Sequence, residues 1–127
     1  MNTSFSPFNI IALPASGTLE IGTEIPLVGF KRLASSFATA SQMDVGSINL
    51  VYTSVDKGSS ADLVFKASSP ERSGSKSIEV LRVSSTGSTN NPRLGIGDFS
   101  KSDIESTLHI KGNTRVDGGR LILSSAK

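Results

Sequence analysis

The chain contains no cysteine. Disulfide bonds, thiolate metal sites and cysteine nucleophiles are therefore excluded together. Tryptophan is also absent, tyrosine occurs once, and hydrophobic residues make up 36% of the 127 positions. This hydrophobic content is low for a free-standing monomer, because a domain of this size must remove about two-thirds of its unfolded surface from water. Burial against copies of itself would make up the shortage, so the composition favours oligomerisation.

Charges of both signs are too evenly spread to indicate a charged partner. Thirteen Lys and Arg residues stand against eleven Asp and Glu residues, which gives a formal net charge of +2. The basic residues form no stripe of the kind that nucleic-acid-binding proteins carry, so no nucleic-acid partner is expected. No apolar run approaches the roughly 18 residues that a membrane-spanning helix requires, so no membrane insertion is expected.

Residues suited to catalysis are scarce. The one histidine, His109, lies between two aliphatic residues in an alternating segment, and no G-x-S-x-G motif accompanies it. The Gly-Ile-Gly triplet at residues 95–97 lacks the third glycine and the following helix of a dinucleotide-binding loop. Asp98, Asp103 and Glu105 do not match a calcium loop and indicate a solvated acidic connector. The sequence thus predicts no enzyme, no cofactor and no metal site.

Apolar and polar residues alternate with a period of two through most of the chain, which is typical of β-strands. Turn-forming residues interrupt this pattern about every eight to twelve residues, and no βαβ spacing is present. Pro26 confines its strand to a sheet edge or to the first residues of the strand. The predicted strands cover residues 19–21, 25–28, 45–55, 61–67, 78–83, 93–96, 107–111 and 121–123.

The segments between these strands carry their own expectations. Residues 31–43 are the one candidate helix, and a strand or loop remains the other interpretation because their serines compete for backbone hydrogen bonds. Residues 68–76 and 98–106 are predicted to be polar, exposed connections. The Asp-Gly pair at residues 117–118, between short apolar runs, predicts a hairpin. Gly95 and Gly97 leave room for a bulky side chain or another backbone to approach their strand.

These elements predict an all-β fold, with a small β-sandwich or jelly-roll-like domain followed by short β-hairpins. Residues 1–16 are predicted to form an extended N-terminal arm, residues 17–88 the β domain, and residues 89–127 a more fibrous segment of β-hairpins that trimerises. The arm is flanked by prolines and is interpreted either as a docking segment or as an ordinary first strand. Its candidate docking residues are Phe8, Ile10, Ile11 and Leu13.

Five short motifs, taken in order, resemble a block found in bacteriophage tail-fibre and related virion fibre proteins. They are ADLVF at residues 61–65, VLRV at 80–83, LGIG at 94–97, LHI at 108–110 and GGRL at 118–121. The resemblance implies a parallel homotrimer whose short strands pack around a central axis. It implies a trimer core of Leu94, Ile96, Leu108, Ile110, Val116, Leu121 and Leu123. The chain departs from the family block at Asp98-Phe99-Ser100-Lys101, where a Thr-Thr-x-Pro-like connector is common.

The resemblance also implies a function. The chain is expected to be a structural component of a phage virion, the anchoring or shaft part of a trimeric tail fibre or baseplate fibre that serves host attachment. Its arm would dock to another tail, baseplate or capsid protein, with a host surface receptor as a further partner. The alternative is a β-sandwich adhesin that binds a receptor or carbohydrate. A small hydrolase is the third hypothesis, and it would depend on His109.

Overall fold

The computed structural model describes residues 8–11, 20–33, 42–54, 60–71, 74–84 and 92–125. These residues contain strands and no helix, which confirms the predicted all-β fold. The strands are β1 (Glu24–Leu33), β2 (Gln42–Tyr52), β3 (Ala61–Glu71), β4 (Gly74–Ser84), β5 (Arg93–Ile96) and β6 (Leu108–Ile110).

All six strands form one sheet, and their order in the sheet is their order in the sequence. Strands β1 to β5 are antiparallel to their neighbours, whereas β6 runs parallel to β5. The described residues therefore form one layer, and the second layer of the predicted sandwich or jelly roll is not found among them. Six strands that all pair edge to edge leave none to build an opposing sheet. The division predicted at residue 88 stays a prediction, but β5 pairs with β4 and continues the sheet across it.

The first strand behaves as its proline requires. β1 lies at an edge of the sheet, and Pro26 pairs with Asn49 next to an irregularity in the ladder. Residues 31–33 extend β1 and residues 42–43 begin β2, which favours the strand interpretation at both ends of the candidate helix. Residues 34–41 lie outside the described part of the chain.

The central hairpin is longer than the sequence pattern predicts. β3 and β4 remain paired to their tips, where Glu71 faces Gly74. The prediction that residues 68–76 form a loop is therefore wrong. Backbone hydrogen bonds continue the ladder through serine and lysine residues, and an apolar alternation cannot reveal a polar extension of this kind.

The connection between β5 and β6 also differs from its prediction as an exposed polar segment. Phe99 and Ile104, both in this connection, keep only 2% and 5% of their surface exposed. Because β6 is parallel to β5, the chain must cross over the sheet between them, and the crossing segment packs on the face it crosses. The acidic residues of the same segment, Asp98, Asp103 and Glu105, are exposed as predicted.

Gly95 makes that packing possible. A Cβ atom at Gly95 would lie 2.7 Å from two Phe99 ring carbons and 2.9 Å from the Ile104 Cδ1 atom. The expected close approach of a bulky side chain is therefore confirmed, and the side chain is that of Phe99.

Replacing Gly95 with alanine is expected to lower the free energy of unfolding by about 1–3 kcal/mol, because the ring and the isoleucine must move. Urea unfolding followed by circular dichroism measures the loss. Gly29→Ala is the matched control, since nothing lies within 4 Å of a Cβ atom there. Equal effects of the two variants would contradict the packing described around Gly95.

Candidate assembly surface

The register of the ladders divides the sheet into two faces, because paired residues share a face and successive residues alternate. One face, called here the polar face, carries Glu24, Asn49, Asp62, Lys66, Glu79, Arg82 and Arg93. The other, called here the apolar face, carries Ile25, Val28, Phe30, Ile48, Leu50, Leu63, Phe65, Ile78, Leu81, Val83, Leu94, Ile96, Leu108 and Ile110.

A buried ion-pair cluster occupies the middle of the polar face. Arg82 Nη1 donates to Asp62 Oδ2 at 2.8 Å, while Arg82 Nε and Nη2 donate to the two carboxylate oxygens of Glu79 at 2.7 and 2.9 Å. Both carboxylates are buried. The hydrogen bonds that Arg82 donates to Glu79, joined by the one that it donates to Asp62, raise the pKa of Arg82 above its ordinary value although burial opposes them. The guanidinium therefore stays charged and holds two buried carboxylates.

A break in strand register puts these groups together. Residues three apart on a regular strand point to opposite faces. However, Phe65 pairs with Leu81 and Lys66 pairs with Glu79, so Val80 is an extra residue in β4. This bulge turns Glu79 onto the face of Arg82. Sequence reasoning missed the cluster for that reason, since strict alternation separates its two β4 members.

The connection between β5 and β6 covers the polar face beside this cluster. The Phe99 amide donates to Glu79 Oε1 at 3.3 Å, and Arg93 Nη1 donates to the Ile104 carbonyl at 2.5 Å. The rings of Phe99 and His109 meet edge to face, with their centroids 4.9 Å apart. The Lys111 Nζ atom lies 4.4 Å from the centroid of the Phe99 ring. This end of the polar face is thus closed by the chain's own residues.

The turn that starts this connection is held by a carboxylate. The hydroxyl and amide of Ser100 donate to Asp98 Oδ1, and these bonds lower the pKa of Asp98 below its ordinary value. The Lys111 ammonium donates to the Asp98 carbonyl at 2.6 Å and ties the end of β6 to the same turn.

His109 packs against Phe99, and its Nδ1 atom accepts a hydrogen bond from the Glu105 amide at 3.4 Å.

No described strand covers the apolar face, and Ile25 alone of its residues is buried. Leu108 is 54% exposed and Ile96 is 39% exposed, and Phe30, Ile78 and Val83 are exposed as well. No described element packs against this face, since all six strands belong to the sheet itself. At the usual strand and residue spacings the face covers on the order of 500 Å² per chain. Uncovered apolar patches of this size mark interaction surfaces.

The structure brings four of the seven predicted core residues together. Leu94 pairs with Leu108 and Ile96 pairs with Ile110, so all four lie on the apolar face. The larger part of this surface lies on β2, β3 and β4 and was not among the predicted core residues, although the alternation of Leu50, Leu63 and Leu81 with polar residues indicates it. The remaining predicted core residues lie beyond the sheet, and they are Val116, Leu121 and Leu123.

Residues 112–125 leave the sheet as a segment without regular secondary structure. All of them are exposed, and no backbone hydrogen bond among the described residues joins them to another part of the chain. Gly118 has a φ of 69° and bends the segment, but no strand forms on either side of it. The predicted hairpin is therefore not formed within the described chain, because the short runs flanking the bend offer little side-chain burial to hold two strands together.

Part of the predicted docking arm is also described. Phe8, Ile10 and Ile11 are exposed, whereas Leu13 lies outside the described residues. Nothing in the sheet's geometry bears on what the arm contacts, and its docking role stays a prediction.

The polar face also holds an open groove of about 750 Å³. Its lining includes Glu24, Lys66, Arg93 and Ser100. Lys66 pairs with Glu24 at 2.6 Å, so charges of opposite sign meet across part of its wall. Within the described residues no group of three His, Cys, Asp or Glu side chains is arranged to hold a metal ion. The same residues contain no helix that is long and apolar enough to cross a membrane.

A scan against protein-family models and searches of curated proteins and of solved structures found no match to this chain.

Proposed function

We propose that the chain is a structural component of a phage virion, the anchoring or shaft part of a trimeric tail fibre or baseplate fibre that serves host attachment. The observation that carries the proposal is the apolar face, a continuous apolar layer that no described strand covers. A fibre protein gains that cover from its own copies, as the five short motifs of the resemblance imply.

The distribution of burial supports assembly through this face. Only Ile25, Val64, Phe99 and Ile104 are buried among the hydrophobic residues described. Three of them lie away from the apolar face, on the polar face or in the connection that covers it. A single sheet that is covered on one face only buries little apolar surface of its own, and oligomerisation is a common remedy in small domains. Three apolar faces turned toward a common axis would supply the missing layer.

The location in a virion is tested by labelling assembled particles. Antibodies raised against the purified chain, applied to phage particles released from the source culture, are expected to label tails or baseplates in electron micrographs. Antibodies preabsorbed with the purified chain serve as the control and should leave the same particles unlabelled. Label confined to cell debris or to particle-free fractions would overturn the proposal.

The groove on the polar face favours a second candidate, an adhesin module that binds a receptor or carbohydrate. Its charged walls offer hydrogen-bond partners for a polyhydroxylated ligand. Binding of the purified chain to immobilised glycans, lost in Arg93→Ala, would favour this candidate. An equal signal from wild type and variant would remove the groove as the binding site.

A further inference from the structure

The two edges of the sheet differ in how well they are protected from pairing with another chain. Edge strands are commonly blunted by proline, by charged residues and by bulges. β1 carries all three devices: Pro26, the charges of Lys31 and Arg32, and irregularities at Pro26/Val28 and Phe30/Lys31. β6 has one other such device, its length of only three residues, and it has neither proline nor a ladder irregularity. β6 is therefore the less protected edge of the sheet.

The hydrogen bonds of β6 show which backbone groups remain at that edge. The Leu94 amide donates to the Thr107 carbonyl, and the Lys111 amide donates to the Ile96 carbonyl. Because main-chain groups alternate in direction along a strand, those of Leu108 and Ile110 point away from β5. The Leu108 carbonyl accepts a bond from Ser106 Oγ at 2.8 Å. The Leu108 amide and both main-chain groups of Ile110 have no partner among the described residues.

The apolar face also ends abruptly at this edge. The pairs Leu94–Leu108 and Ile96–Ile110 form two rows across β5 and β6, and Leu108 is the more exposed member at the end of its row. A further strand beside β6 would extend both rows if it carried two apolar residues spaced two apart. It would also take up the open backbone groups.

The exposed segment after β6 contains such a strand. Leu121 and Leu123 are spaced two apart, and they are 64% and 85% exposed. Ile122 lies between them and is exposed too. From Gly112 to Leu121 an extended chain reaches about 30 Å at most. The segment is exposed and makes no backbone hydrogen bond to β6 of its own chain, so it is available to a neighbouring copy.

We propose that residues 120–123 of one copy add as a strand to the β6 edge of a second copy, with Leu121 and Leu123 on the apolar face. The inference rests on the proposed function in that it takes assembly of identical chains as given, and it names the contact that links them. Each copy gives a strand on one side and receives one on the other, which is a head-to-tail interface. Three such contacts close into a ring.

Disulfide trapping tests the contact. Because the chain contains no cysteine, only the introduced cysteines can form disulfide bonds. Whether the added strand is parallel or antiparallel, a register that aligns the leucines with Leu108 and Ile110 places Ile122 opposite His109. A mixture of the single variants His109→Cys and Ile122→Cys is therefore expected to form a mixed disulfide under mild oxidation. The docked sulfurs should react at least about 100-fold faster than undocked ones, because docking gives them a millimolar effective concentration.

The control is a mixture of Lys31→Cys with Ile122→Cys, which places one sulfur at the protected β1 edge. If the mixture of His109→Cys and Ile122→Cys forms its mixed disulfide no faster than this control mixture, the proposal is wrong. The double variant His109→Cys/Ile122→Cys gives a second reading. Covalent oligomers on a non-reducing gel support the contact between copies, and a closed monomer contradicts it.

A truncated chain ending at Gly119 supplies a readout that does not disturb His109. It keeps all six strands and loses the added one. Its self-association constant is therefore expected to fall at least about 100-fold, the factor that corresponds to the burial of two leucine side chains. If the intact chain assembles, and the truncated chain assembles equally well, the strand contact is wrong and the assembly proposal stands. If the intact chain is itself monomeric, the proposed function is wrong, whatever the truncated chain does.

Discussion

Replacing Arg82 with methionine is expected to lower the free energy of unfolding by about 3–5 kcal/mol, the cost of removing one partner from a buried ion pair. Arg82 holds Asp62 and Glu79 through three hydrogen bonds of 2.7–2.9 Å. Methionine fills a similar volume but leaves two buried carboxylates without their cation. The Glu79 carboxylate also accepts the Phe99 amide, so the cover of the polar face should loosen with it.

Urea unfolding at neutral pH measures this loss, and Lys31→Met is its matched control. Lys31 pairs with Asp44 at 3.5 Å, but more than half of each side chain is exposed. Removal of that surface pair should cost less than about 1 kcal/mol. A loss in Arg82→Met as small as the control's would show that the buried cluster does not hold β3 and β4 together.

Ile96→Asp and Ile110→Asp are each expected to abolish self-association. The two residues are paired neighbours on the apolar face. An aspartate at either position would have to be buried without a cation in the assembled state, and in a trimer three like charges would share one apolar layer. Sedimentation velocity at micromolar concentration should show the variants as monomers where the wild type is an oligomer.

Ile21→Asp is the matched control for these two variants. Ile21 is exposed, precedes β1 and is not on the apolar face. The same chemical change there should leave the oligomer intact. Circular dichroism of all three variants separates loss of assembly from loss of folding. An oligomer that survives both Ile96→Asp and Ile110→Asp would show that this part of the sheet is not the assembly surface.

Much of the fold follows from local patterns in the sequence. The alternation in residues 45–55, 61–67 and 78–83 locates β2, β3 and β4, and Pro26 places β1 at an edge. Local patterns also put Leu94 with Ile96, and Leu108 with Ile110, on one face of their own strands. The resemblance to fibre proteins implied that the four share one core, and together these inferences give the part of the candidate surface that could be predicted. Strand alternation is a property of a few neighbouring residues, and the sequence displays it directly.

The features that were missed depend on contacts between distant residues. Val80 is a bulge only because its partner strand skips it, and the cluster of Arg82 and Glu79 depends on that bulge. The burial of Phe99 follows from the crossover to the parallel strand β6, which no turn signal announces. A phenylalanine among polar residues and a glycine in a strand are each ambiguous alone. They become informative only once Phe99 is known to lie on Gly95.

Copies of the same chain are expected to cover the apolar face. Sedimentation equilibrium of the intact 127-residue protein at micromolar concentration tests this assembly most directly. A particle of about three times the 13.3 kDa of one chain is expected. A stable, folded monomer of 13.3 kDa over the whole concentration range would contradict it.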